Sequence, residues 1–126
     1  MEKVKFNPNV SWGITICFLD YIWDHRHERL PPTIEYGFGT YLGNLNNDPA
    51  AFDFWMDNYK LVFGRTPAKN DLLTEEEIFT AMIELSARFS YLDGLFDLVN
   101  FLHSMRYNPD EYHKEWGFWK KALISY

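Results

Sequence analysis

The densest group of side chains able to do chemistry is Asp24-His25-Arg26-His27-Glu28. Imidazoles and carboxylates are metal ligands, and Asp24 and His27, three residues apart, share one face of a helix. Di-iron bundles use a carboxylate-x-x-His spacing of this kind, but on two helices, with inward carboxylates from two more. No second copy exists, since neither His103 nor His113 has an acid three residues before it. The segment also reads as the polar end of a helix, where Arg and His side chains suit the negative end of the dipole. A metal-dependent enzyme centred on Asp24 and His27 is therefore the lesser alternative, and neither metal nor cofactor is expected.

Other chemistry finds less support. A reactive thiol needs an electropositive, accessible pocket, whereas the single cysteine, Cys17, sits between Ile16 and Phe18 and reads as a buried, inert thiol. No G-x-S-x-G elbow, no G-x-G-x-x-G and no phosphate-binding G-x-x-x-x-G-K-[ST] occurs. The lone G-x-G at Gly37-Phe38-Gly39 has neither a preceding strand nor a third glycine. No catalytic residue is assigned, and the chain is not expected to be an enzyme.

The acids remain. Asp20, Asp24 and Glu28 fall at i, i+4 and i+8 of one predicted helix, and Asp53 and Asp57 at i and i+4 of another. These five are the candidate partner-binding residues. The competing reading makes them the solvated sides of amphipathic helices. Twelve Lys and Arg against 18 Asp and Glu give a formal net charge of −6, and the longest basic run is Lys120-Lys121. That balance lacks the basic footprint of a nucleic-acid binder. It suits a basic partner, through faster and better-oriented encounter, as well as plain solubility. Aromatic residues make up 19% of the chain. More rings than a small interior needs point to some at the surface, where Tyr and Trp favour interfaces.

These residues need elements to hold them. At 126 residues, 47% hydrophobic and 24% charged, the chain has the size and composition of a single globular domain, 1–126. An irregular lead-in runs to Val10, broken by Pro8. Ser11 then caps a helix over 12–29 with Ile14, Phe18, Tyr21 and Ile22 inward, and Leu30-Pro31-Pro32 ends it. Residues 33–45, with Gly37, Gly39 and Gly43, form a poor helix, a loop or a short strand. Spacing of Gly39 and Gly43 would admit a neighbouring backbone. Asp48-Pro49 starts a helix carrying Phe52, Trp55, Tyr59 and Val62 on one face, and Gly64 stops it. A polar connector spans 65–73. Thr74-Glu75-Glu76-Glu77 is a capping box ahead of Ile78, Met82, Leu85, Phe89 and Leu92 at a 3.6-residue period. Asp93-Gly94 breaks that helix, and Leu95, Leu98, Val99, Leu102 and Met105 line the next. Asn108-Pro109 opens a last one with Tyr112, Trp116, Trp119 and Leu123. The fold class is all-α, an irregular bundle of five to six short amphipathic helices.

From Leu73 onward the chain resembles small bacterial immunity proteins encoded beside polymorphic toxins of the contact-dependent inhibition and Rhs types. The resembling residues are Leu73 through Met82, Leu98 through Met105, Pro109-Asp110 and Glu115-Trp116-Gly117-Phe118-Trp119. They are mainly caps and core positions and cover less than half the chain, so no binding residue carries over. The resemblance implies a cytoplasmic protein that binds one cognate toxin domain, often a nuclease, and blocks it without chemistry of its own.

The leading expectation is thus an immunity protein with a toxin as its partner. The alternative is a helical adaptor, self-associating through its aromatics. One cysteine excludes an internal disulfide, the opening residues show no signal-peptide core, and no stretch approaches about 18 apolar residues. A cytoplasmic location away from membranes is expected, and oligomeric state is left open.

Overall fold

The computed structural model describes residues 5–64, 72–92 and 94–126. The lead-in is more ordered than its proline suggests. Lys5–Phe6 (β1) pairs antiparallel with Leu73–Thr74 (β2), Lys5 opposite Thr74 and Phe6 opposite Leu73. Helix α1 then runs from Pro8 to Asp24. Its cap is Asn7, not Ser11: Asn7 Oδ1 accepts from the Val10 amide at 2.8 Å, and Pro8 takes the first helical position, where a missing N–H costs nothing. Ser11 is buried within the helix and donates to Asn7 O at 2.8 Å.

The far end of α1 also departs from expectation. The helix stops at Asp24, and Arg26–Glu28 form a single 3-10 turn. Arg26 Nη1 donates to Trp23 O at 2.7 Å, and its guanidinium lies 3.6 Å above the Trp23 ring. That side chain satisfies a carbonyl that would otherwise need the next helical turn.

Residues Ile34–Asn47 (α2) are helical despite their glycines. The Trp23 ring lies so near Gly39 that a Cβ there would approach Cη2 to 3.2 Å, whereas nothing stands within 4 Å of a Cβ at Gly43. Only one of the two glycines serves close packing, and the neighbour is a side chain. Helix α3 spans Ala51–Phe63. Asp48 Oδ1 accepts from the Ala50 amide at 2.9 Å, closing a turn that delays the helix by two residues past Pro49. Gly64 (φ 72°) terminates it in the left-handed region. The expected connector lies, at 65–71, outside the described residues.

Helix α4, Glu75–Arg88, has its capping box in place, with Glu77 N to Thr74 Oγ1 at 3.2 Å and Thr74 N to Glu77 Oε1 at 3.0 Å. It ends before Phe89 and Leu92, which pack half-buried in the following turns. Gly94 (φ 80°) precedes α5, Leu95–Tyr107; Asp93 is outside the described residues. Turns at 109–112 push α6 to His113–Ile124, later than Asn108-Pro109 suggests.

The architecture is an all-α bundle of six short helices with one two-stranded ribbon among the described residues. Helix α1 packs on α2, α3, α4 and α6, and α4 lies between α3 and α5. Rings from three helices fill the centre. Trp119 meets Phe18 and Phe79 edge-on at centroid distances of 5.2 Å, the arrangement aromatic quadrupoles favour. Buried Asn58 is matched across helices: its Nδ2 donates to Ala81 O at 3.0 Å and joins α3 to α4. No described helix is long and apolar enough to cross a membrane.

Candidate partner-binding face

The structure separates the five acids. Asp20 is half-buried, and its carboxyl is held above the usual range, chiefly by burial, with the Asn46 side chain of α2 working against the shift and the Asp24 charge adding to it. Asp24 is exposed at the last position of α1. Glu28 lies beyond the helix and turns to α6. It accepts from Lys114 Nζ and stands 3.2 Å from His25 Nδ1, and these two neighbours hold its carboxyl below the usual range. The expected continuous stripe of Asp20, Asp24 and Glu28 therefore does not form. Helical phase is lost at the 3-10 turn, and the first and last acids face different helices.

The segment from His25 to Arg29 is bound into the fold. His25 stacks on Phe118 at 4.6 Å, His27 Nδ1 lies 3.4 Å from Glu35 Oε1, and Arg29 pairs with Glu111 and with buried Glu115. Among the described residues no group of three or more His, Cys, Asp or Glu side chains could hold a metal ion. Cys17 is half-buried rather than sealed in the core, and its proximity raises the Tyr21 phenol above its ordinary value.

Asp53 and Asp57 are both exposed on α3. They share that face with two apolar side chains, Phe54 (47% exposed) and Leu61 (69% exposed). At about 100° per residue, Phe54, Asp57 and Leu61 fall in one row, turned away from the buried Trp55 and Tyr59. Phe54 continues the row into a groove of about 280 Å³ lined also by Leu85, Arg88, Phe89 and Tyr91. Phe89 meets Phe54 edge-on at 6.4 Å and lies tilted against Tyr91 at 6.1 Å. Tyr91 itself is 75% exposed. An apolar row beside Asp53 and Asp57, continued by an aromatic groove that carries Arg88, can anchor a partner by ring burial while the charges orient it.

No family model, curated protein or solved structure matches this chain.

Sequence reasoning found the two acids of this face and missed its apolar members. The signal was present, since Phe54 and Leu61 sit seven apart and off the Phe52-Trp55-Tyr59 face. Tyr91 carried none, because its exposure depends on α4 ending at Arg88. A second cleft, of about 410 Å³, lies between α4 and α6 and is lined by Glu75, Glu76, Phe79, Thr80, Arg106, Trp116 and Trp119. Arg106 spans it, donating to Thr80 Oγ1 and lying 5.4 Å over the Phe79 ring.

Proposed function

We propose that this chain is a binding protein that neutralises a cognate bacterial toxin domain, using the outward face of α3 and the adjoining groove. The observation that carries the binding reading is the row Phe54-Asp57-Leu61, in which large apolar side chains stand in solvent on a helix whose opposite face already supplies the core. Exposed apolar groups gathered beside acids are what a partner-binding surface requires. Net charge −6 suits a basic partner such as a nuclease domain, with association up to about 10⁸–10⁹ M⁻¹s⁻¹ at low salt. The resemblance of residues 73–119 to immunity proteins supplies the class of partner. In this reading the chain covers the toxin's active site and performs no chemistry.

The experiment is capture of partners from source-cell lysate at low and high salt, then expression of any captured protein alone and together with this chain. One captured protein that arrests growth alone, and is tolerated when this chain is co-expressed, supports the reading. Captured proteins that are harmless alone refute neutralisation and favour the adaptor alternative.

A further inference from the structure

The charge cluster joining the end of α1 to α6 contains two polar atoms that no described protein group satisfies. Glu115 is 4% exposed. Its Oε2 lies 3.6 Å from Arg29 Nε, while Oε1 is buried with no hydrogen-bond partner among the described residues. Arg26 directs its terminal nitrogens elsewhere, Nη1 to Trp23 O and Nη2 to within 3.6 Å of Glu35 Oε1. Its Nε–H is likewise buried and without an acceptor. Both residues line one crevice of about 10 Å³, otherwise walled largely by Ile22, Leu30, Phe101 and Phe118.

The chemistry of this pair selects what fits between them. A cation would meet the Arg26 guanidinium and an anion the Glu115 carboxylate, both at low dielectric. A small neutral group that accepts on one side and donates on the other satisfies both atoms. Housing a water takes roughly 10–15 Å³ and two to four polar partners. The crevice reaches the lower bound and admits nothing larger.

We infer that one internal water molecule occupies this crevice, accepting from Arg26 Nε–H and donating to Glu115 Oε1. It joins Arg26, Glu115 and Arg29 into one network between the 3-10 turn and α6. The turn is thereby fastened from inside as well as by the surface pair Glu28–Lys114.

A high-resolution crystal structure of the full chain tests this, with Arg26 Nε–H followed in solution by ¹⁵N NMR. The expected result is a water peak within about 2.7–3.2 Å of both atoms, and magnetisation transfer from a bound water to Nε–H that disappears in Glu115→Leu. The inference is overturned if the crevice holds no density and Glu115 Oε1 instead bonds Arg26 or Arg29 directly, or if Nε–H shows no transfer from water. The wild-type measurements decide the matter whether or not the Leu variant folds.

Discussion

Tyr41 Oη and Ser86 Oγ lie 2.9 Å apart in the core and tie α2 to α4 across 45 positions of sequence. Ser86 Oγ also donates to Met82 O at 2.9 Å, so its one proton is committed and Tyr41 must be the donor. The two ends of the bond are therefore unequal. Ser86→Ala strands a fully buried hydroxyl donor and should cost about 1–3 kcal/mol, whereas Tyr41→Phe leaves Ser86 bonded to Met82 and should cost about 1 kcal/mol. Urea denaturation of both variants measures this. A costlier Tyr41→Phe would reverse the donor assignment.

Burial also raises the Tyr41 phenol well above its ordinary value of 10.0. The unfolded chain then releases this proton at a lower pH than the folded one. The contribution is complete below pH 10.0 and declines as pH rises from there towards the folded value. Denaturation midpoints should fall above that pH in the wild type, and less steeply in Tyr41→Phe. Identical alkaline slopes would remove Tyr41 as a cause.

Glu28 works in the opposite direction. Lys114 and His25 hold its carboxyl below the ordinary 4.5, so its small contribution is present above that pH and lost as pH falls through the folded value. An NMR titration of the Glu28 carboxyl should give a midpoint under 4.5, moving upward in Lys114→Ala and in high salt, since the pair is exposed and screened. No movement in Lys114→Ala would separate Glu28 from α6.

Two glycines make a contrasting pair. Gly94 has φ 80°, and a Cβ there would stand 2.5 Å from Thr33 O and 2.6 Å from Ile34 Cα. Backbone this close leaves no side-chain end to move aside, so Gly94→Ala should cost at least about 2 kcal/mol, from left-handed strain plus the clash. Gly43 is helical with open space around it, and Gly43→Ala should stabilise by about 0.5–1 kcal/mol. Thermal unfolding of the two variants should move in opposite directions.

What the sequence revealed followed from local rules. The Thr74/Glu77 capping box and the Ile78-Met82-Leu85 face were legible because both are set within one or two turns. The end of α1 was not, because it depends on Arg26 folding back over Trp23, a choice that period alone does not encode. That one misplaced boundary also dissolved the expected stripe, since Glu28 lines up with Asp20 and Asp24 only if the helix continues. The first strand was invisible for another reason: Lys5 and Phe6 extend because Thr74 and Leu73 meet them, a pairing across nearly seventy positions. At α3 the acids were legible from spacing, but the groove beside Phe54 needs residues from α4 and the turn after it.

The central claim is that the α3 face binds the partner, and titration of a purified captured partner against four versions of this chain tests it most directly. These are the wild type, Asp53→Lys/Asp57→Lys, Phe54→Ala/Leu61→Ala, and Glu28→Gln as an acid already engaged by Lys114 and His25. The account predicts that the apolar double variant weakens binding by at least about thirtyfold, the loss of a hot spot worth about 2 kcal/mol. It further predicts that charge reversal weakens binding and flattens its salt dependence, and that Glu28→Gln binds like the wild type. Wild-type affinity in both α3 variants, with their folds intact, would contradict it.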